Sequence, residues 1–109
     1  MLATSSSKEW VIVGGRVVQS GDQSVTSGEG FSIADSGVGT TTVTFHRAYD
    51  KLIAVTASSL AAGDTMHVGT ITHTDGTIGP SIVFQGNAVS DGTDGDTTFS
   101  FITIWETDT

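Results

Sequence analysis

The chain has 109 residues, no cysteine and a net charge of −8. This length allows one domain with a modest core, and the absence of cysteine excludes disulfides, a thiol nucleophile and a zinc–thiolate site. Every Lys and Arg lies within the first 51 residues, whereas the residues after Lys51 carry seven carboxylates and no base. That half of the chain repels phosphates and anionic lipid headgroups, so we expect no nucleic acid and no membrane as a partner.

The N-terminal residues are small and polar and show no periodicity. They predict a flexible arm over residues 1–9, followed by a single domain over residues 10–109. The arm lacks the basic and apolar regions of a signal peptide, and no apolar run reaches the about 18 residues that span a bilayer. We therefore expect a protein that is made in the cytoplasm and is not secreted by a signal peptide.

The first strands follow this arm. Two β-branched runs, over residues 10–13 and 16–19, are separated by Gly14-Gly15. A pair of glycines between such runs predicts a tight hairpin. Residues 20–30 are predicted to form a loop, and a short strand is predicted over residues 31–34.

The strand at residues 40–46 shows the clearest alternation. Thr41, Val43 and Phe45 share one face, and the other face carries hydroxyl groups. This pattern predicts a half-buried strand with a wet outer face. The next apolar segment has near-helical spacing, but its β-branched content favours a strand over residues 52–58.

The following segments contain three turn signals. Asp75-Gly76 predicts a hairpin between strands over residues 66–74 and 77–85. Pro80 cannot donate to a strand ladder, so the second of these strands is expected at an edge or with a bulge. Gly86-Asn87 predicts another turn before the acidic loop at residues 90–96.

The final predicted strand, over residues 97–105, is apolar on both faces. Phe99, Phe101 and Trp105 lie on one face, and Ile102 and Ile104 lie on the other. Such a strand is covered twice, and the second cover comes from a loop or from another subunit. In total, about eight short strands predict an all-β fold, a two-sheet antiparallel β-sandwich of jelly-roll-like or immunoglobulin-like type.

The acidic loop is a candidate metal site. Asp91, Asp94 and Asp96 lie within six residues, among glycines that let the backbone curl. Three carboxylates with loop carbonyls are the ligands that Ca²⁺ prefers, although the spacing is not that of an EF-hand. We favour the alternative of a solvated turn loop, and no cofactor is predicted.

The sequence contains no motif of a known catalytic site. The serines occur without a GxSxG elbow, and His67 and His73 are about 20 Å apart along a strand, which is too far to share one metal ion. His46 completes the histidines, which we interpret as surface or interface residues. An enzymatic function is therefore not predicted.

The aromatic residues are predicted to lie in the core, because most occupy alternating strand positions. Trp10 and Trp105, at the outer ends of the first and last strands, are also candidates for a sugar platform or an intersubunit contact. The candidates for an oligomer or shell interface are Trp10, Ile12, Val17, Ile102, Ile104 and Trp105.

The pattern "GEGFSI…GVGTTTVTFHRAYDKLIAV…FSFITIW" resembles that of small β-sandwich modules in the virions of tailed phages, which occur in fibres and in capsid decoration or cement proteins. A related pattern occurs in H-type lectin-like sandwiches. The likeness covers about residues 28–105. Lys51 stands where such modules commonly have a proline before the apolar strand, a departure that bears most on the lectin assignment.

The resemblance implies a non-enzymatic structural protein of a bacteriophage virion. It implies a capsid decoration or cement protein that forms a homo-oligomer, commonly a trimer, and stabilises the shell by contact with the major capsid protein or other virion proteins. The alternative is a tail-fibre or lectin-like module that binds a host glycan through its loops, with Ca²⁺ held by the acidic loop.

Overall fold

The computed structural model describes residues 2–5, 8–74 and 79–108. In this part of the chain the regular structure consists of nine strands, with no helix of the length and apolar character that crosses a bilayer. The strands are β1 (Leu2–Ser5), β2 (Lys8–Val18), β3 (Ser24–Gly28), β4 (Phe31–Gly37), β5 (Thr40–Phe45), β6 (Lys51–Ser59), β7 (Asp64–Thr72), β8 (Ser81–Ala88) and β9 (Thr98–Asp108).

The strands form two antiparallel sheets. One has the order β1-β2-β9-β6, with β3 also paired to β2, and the other has the order β4-β5-β8-β7. The connections from β3 to β4, from β5 to β6, from β6 to β7 and from β8 to β9 each cross between the sheets. The predicted two-sheet antiparallel β-sandwich is therefore confirmed.

The position of β9 is unlike that of the last strand in an immunoglobulin domain. It lies between β2 and β6 and pairs with β2 over eleven residues, from Lys8 opposite Asp108 to Val18 opposite Thr98. In a constant-type immunoglobulin domain the last strand instead shares a sheet with strands C and F, apart from the first strand. The strand order therefore differs from that of a constant-type immunoglobulin domain.

The core lies between the two sheets and follows from alternation along the strands. The predicted inward face of β5, with Thr41, Val43 and Phe45, is buried as expected. A strand rather than a helix is also confirmed at β6. The buried apolar residues are Val11, Val13, Val17, Phe31, Val43, Phe45, Tyr49, Met66, Ile82, Phe84, Phe99, Phe101 and Trp105.

The predicted hairpin at Gly14-Gly15 is wrong, because β2 runs without a turn through both glycines. The two glycines instead allow neighbouring atoms to lie close to the backbone of β2. A Cβ on Gly14 would lie 2.7 Å from the carbonyl oxygen of Phe101, and a Cβ on Gly15 would lie 2.5 Å from Cζ of Phe31. Glycine inside a strand commonly marks such a site, where a neighbouring chain or ring leaves no room for a side chain.

Two further turn predictions are corrected. β8 continues through Gly86 and Asn87 to Ala88, so the chain does not turn there. Pro80 directly precedes β8, which lies between β5 and β7 and is not an edge strand. The missing N–H of Pro80 therefore falls outside the ladder, and the bulge lies on β7, between Val68 and Ile71.

The loop and arm predictions also change. Residues 20–30 contain β3, which pairs with β2, and Leu2–Ser5 pair with β2 as β1. Leu2–Ser5 thus form a paired strand that the sequence pattern did not predict, and the flexibility of the arm over residues 1–9 stays a prediction. Backbone hydrogen bonds to a free strand edge need no apolar alternation, which is why the sequence pattern missed both strands. The predicted turn at Asp75-Gly76 lies outside the described residues, although β7 and β8 pair as expected.

Candidate interaction surfaces

The residues predicted to form an interface fall into two groups. Val17 and Trp105 are fully buried between the sheets, so a role for them in an interface, or for Trp105 as a sugar platform, is wrong. Each occupies an inward position of its strand, where alternation directs the side chain into the core. The other four are half-buried or exposed, and they are Trp10, Ile12, Ile102 and Ile104.

These four residues lie on the face of the β2–β9–β6 sheet that points away from the core. The register places Ile12 opposite Ile104 on β9, and Ile104 opposite Ala54 on β6. Ile102, which is 50% exposed, lies two residues further along β9, opposite Gly14. Apolar side chains from neighbouring strands are thus adjacent on the outer side of this sheet.

A β-bulge adds a fifth apolar residue. The pairing of β6 with β9 shifts register between Leu52 and Ala54, and the extra residue, Ile53, is 41% exposed. Bulges at sheet edges commonly redirect a side chain in this way. We call the surface formed by these five residues the outer apolar face: Trp10, Ile12, Ile53, Ile102 and Ile104.

A shallow depression of about 140 Å³ lies beside Ile102, between β6 and β9. This volume is well below the about 300 Å³ at which small-molecule pockets begin. The depression is suited to a single side chain of a neighbouring protein. It is lined by Thr56, Ala57, Ser58, Ser100, Phe101 and Ile102.

Charged residues lie at both ends of the outer apolar face. At one end the exposed Arg16 pairs in register with Ser100 of β9. At the other end Glu106 is opposite both Trp10 and Lys51, and Nε1 of Trp10 donates a 3.4 Å hydrogen bond to Oε2 of Glu106. The face therefore has an apolar centre with Arg16 at one end and with Glu106 and Lys51 at the other.

A second surface is formed by loops at one end of the sandwich. The amide of Gly86 donates to the carbonyl of Gly39 in the β4–β5 turn at 2.8 Å. The amide of Val89, after β8, donates to the carbonyl of Gly63 in the β6–β7 loop at 2.8 Å. These bonds join three connections into one surface.

This surface carries the most exposed large apolar side chains among the described residues. Val38 is 65% exposed, Val89 is 62% exposed and Leu60 is 51% exposed. Single exposed aliphatic residues are common on protein surfaces, but three of them on loops that are hydrogen-bonded together form a candidate contact surface. We call the surface of Val38, Leu60 and Val89 the loop end.

Beneath the loop end, the buried side chain of Gln19 connects four segments. Its Nε2 donates to the carbonyl of Gly39 at 2.7 Å and to Oγ1 of Thr41 at 2.9 Å. Its Oε1 accepts from the amide of Thr97 at 2.9 Å. Gly39 has a φ of 68° and lies against the carbonyl of Gly95, so only glycine fits this turn. The loops are thereby held in one geometry.

The three carboxylates of the acidic loop have separate hydrogen-bond partners. Asp91 accepts from the amide and hydroxyl of Thr93, and these hydrogen bonds hold the pKa of Asp91 below its ordinary value. Asp94 accepts from the Asn87 side chain, and Asp96 accepts from the amide of Gly39. Across the described ranges, no group of three His, Asp or Glu residues is arranged to hold a metal ion. The candidate calcium ligands therefore act as turn and loop contacts.

The three histidines lie in different environments. His46 and His67 are exposed, whereas His73 is half-buried with its ring centre 5.2 Å from that of Trp105. Nε2 of His73 lies 3.3 Å from the carbonyl oxygen of Asp50 and so joins the end of β7 to the start of β6. This position gives His73 a packing role next to the core.

Tyr49 is the group in this region whose titration is shifted upward. Burial raises the pKa of Tyr49, and the nearby Arg47 guanidinium, 5.5 Å from the ring centre, lowers it by a smaller amount. The ring of Tyr49 stacks on Trp105 with centroids 4.8 Å apart. The phenol is therefore a buried part of the core.

The sequence interpretation missed Ile53 and all three residues of the loop end. A bulge is not visible in a pattern of alternation, which explains Ile53. Val38 and Val89 were each visible as a single apolar residue within a turn or loop, where no strand or helix buries it. An apolar residue that stands alone in a turn or loop was thus the sequence signal for an exposed contact residue.

Comparison with known proteins gives no relative for this chain. No protein-family model matches it, and neither a curated protein nor a solved structure does. The resemblance to virion modules therefore remains a prediction, and the functional argument depends on the surfaces described above.

Proposed function

We propose that this chain is a non-enzymatic structural protein of a phage virion, a capsid decoration or cement protein that reinforces the shell. The observation that carries the proposal is the distribution of exposed apolar side chains over two separate surfaces, the outer apolar face and the loop end. A protein that connects neighbours needs at least two contact surfaces. One such surface would suffice for a simple binding module.

The rigidity of the loop end supports this function. Its loops are fixed by backbone hydrogen bonds and by the buried Gln19 side chain. A surface that is already ordered loses little conformational entropy when it binds, which strengthens a contact of modest area. Such a surface is suited to repeated docking on a regular shell.

The charge of the loop end indicates the chemistry of its partner. Asp91, Asp94 and Asp96 lie on the β8–β9 connection, and Asp64 is the first residue of β7 at the same end. Acidic side chains around aliphatic ones complement a protein surface with Lys and Arg around an apolar depression. We therefore expect the loop end to contact such a site on the major capsid protein or another virion protein, where nucleic acid would be repelled.

The test compares shells assembled without the chain before and after its addition. We expect the purified chain to cosediment with these shells and to raise the temperature and the osmotic shock at which they open. Shells that bind no chain, or that open under the same conditions with it, would reject the proposal.

A pair of variants identifies the surface. Val89→Asp introduces a charge at the loop end, and Val25→Asp introduces the same charge on β3, where the valine is 37% exposed. Val89→Asp should abolish cosedimentation, and Val25→Asp should leave it unchanged. Equal loss in both variants would exclude the loop end as the docking surface.

A further inference from the structure

The outer apolar face has a pattern of side chains that is complementary to itself. Val13, Thr103 and Val55 are cross-strand partners at its centre, on β2, β9 and β6, with their side chains directed toward the core. Consider a second copy of the chain related by a two-fold axis that is parallel to the sheet, perpendicular to the strands and level with these three residues. Rotation about this axis places each strand over the same strand of the second copy. A residue that precedes the central level then faces the residue that follows it by the same number of positions in the second copy. The pattern can therefore be tested residue by residue against a second copy of the chain.

The apolar centre matches under this rotation. Ile104, one position after Thr103, meets Ile102 of the second copy. Ile12, one position before Val13, meets Gly14 of the second copy, where no side chain stands. Aligned sheets pack about 10 Å apart, with side chains interdigitating. A large side chain opposite a glycine is the arrangement that such packing requires.

The bulge and the depression match as well. Ile53 lies at the level between Trp105 and Ile104 of β9. The rotation moves it to the level between Ile102 and Phe101, where the depression of about 140 Å³ is lined by these residues and by Thr56 and Ser58. The exposed isoleucine of each copy thus meets the depression of the other.

The charges at the ends also match. Trp10 and Arg16 are equally distant from Val13 along β2, so the rotation places Arg16 of one copy over Trp10 of the other. Glu106 is the neighbour of Trp10 and already accepts its indole hydrogen bond. The Arg16 guanidinium would contact both an aromatic ring and a carboxylate, a cation–π contact and an ion pair, while Lys51 lies on β6, on the far side of Glu106 from Trp10. A two-fold axis along the strands would instead place Glu106 over Glu106, which is repulsive.

From these four correspondences we propose that two copies of this chain associate through the outer apolar face, about a two-fold axis that crosses β2, β9 and β6. The inference rests on the proposed function only in assigning one of its two contact surfaces to self-association. The virion resemblance implies a trimer, but a trimer needs two different patches on each chain, whereas this face fits itself.

The area of the face sets the strength of the contact. Three strands about 4.8 Å apart and seven residues about 3.3 Å apart give about 330 Å² on each copy. The pair then buries about 660 Å², below the about 1,000 Å² of a stable specific interface. We therefore expect a weak association, with a dissociation constant in the high-micromolar to millimolar range, that leaves the loop end free.

The first test is the mass of the native chain by sedimentation and light scattering, from about 10 μM to about 1 mM. We expect the mass to rise from one chain to two. Ile102→Asp should abolish the rise, because it buries a charge at the centre of the interface. The matched control is Ile71→Asp, since Ile71 is 45% exposed on the other sheet and should leave the dimer unchanged. A constant monomer, a trimeric mass or equal loss in both variants would overturn the inference.

A charge exchange tests the direction of the axis. Arg16→Glu and Glu106→Arg should each weaken the dimer by about tenfold or more, and the double variant should restore most of the affinity. Additive weakening in the double variant would reject the proposed axis. Far-UV circular dichroism and the melting temperature confirm that each variant is folded.

The inference and the proposed function fail separately. A wild-type chain that stays monomeric but reinforces shells would reject the two-fold pair alone. A chain that dimerises as described but neither binds nor reinforces shells would reject the cement function alone.

Discussion

The two ends of the sandwich core are held together in different ways. Near the C-terminal end of β9, the rings of Phe45 and Tyr49 pack on Trp105, with ring centroids 5.0 Å and 4.8 Å from that of Trp105. Below the loop end, Gln19 instead connects Gly39, Thr41 and Thr97 through hydrogen bonds of 2.7 to 2.9 Å. The first end is held by stacked rings around Trp105, whereas the second adds a buried polar network to the ring contact of Phe84 with Phe99.

This difference assigns a different contribution to each end. Aromatic burial removes a large apolar area from water and provides stability with little directional demand. Buried hydrogen bonds contribute little net free energy, but an unmade one is costly, so they select a single arrangement of the segments they join. The aromatic end mainly stabilises the fold, and the polar end mainly fixes the shape of the surface above it.

The largest effect is expected from Trp105→Ala at the aromatic end. Removing a fully buried indole should lower the free energy of unfolding by about 3–5 kcal/mol, because its transfer energy is lost and a cavity remains. Urea unfolding measures this change. Trp10→Ala is the matched control, since Trp10 is only half-buried, and its loss should be less than half as large. Similar losses for both would contradict the assignment of stability to the aromatic end.

A smaller effect with a different signature is expected from Gln19→Met, which keeps the length of the side chain. The amide of Thr97 loses its acceptor, which should cost about 2 kcal/mol. Hydrogen exchange should accelerate at Thr97 and Gly39 more than in the centre of β9. Gln85→Met is the comparison variant, because Gln85 bonds to Val38 and Thr40 of the same turn but not to Thr97, so it should accelerate exchange at Gly39 and leave Thr97 unchanged. Uniform acceleration over the whole sandwich would show that the network does not act locally.

The smallest effect is a pH dependence at the aromatic end. Burial raises the pKa of Tyr49 above the ordinary value of 10.0, so the folded state holds this proton more tightly than the unfolded chain does. The resulting stability is fully present below pH 10 and is lost as the pH rises through the folded pKa. The fall in melting temperature between pH 9 and pH 11 should therefore be smaller in Tyr49→Phe than in the wild type. An equal fall would exclude Tyr49 as the cause.

Much of the fold could be predicted because strand alternation is local. The inward positions of β5 and β9, including Val43, Phe45 and Phe99, are readable from neighbouring residues alone. The doubly apolar pattern of β9 also indicated an outer contact surface at Ile102 and Ile104. These predictions needed no knowledge of which strands are neighbours in space.

The rest could not be predicted because it depends on distant partners. Gly14 is needed because a Cβ there would lie too close to the carbonyl of Phe101. Gly86 is needed because a Cβ there would lie too close to the carbonyl of Gly95. Gln19 reads as one polar residue at the end of a strand, and its partner Thr97 is 78 positions away. Glycines and glutamines carry no sign of such contacts, so the sequence favoured turns and loops at these places.

The pairing of β2 with β9 also determines when the domain can fold. The two strands are paired over eleven residues, although Val13 and Thr103 are 90 positions apart in the chain. During synthesis β2 cannot pair with β9 until β9 has been made, and β9 also supplies Phe99, Phe101 and Trp105 to the core. Such long-range pairing slows folding, because loop closure precedes the contacts that reward it. Ribosome-bound chains that lack β9 should therefore depend on chaperones to keep their exposed core side chains from aggregating.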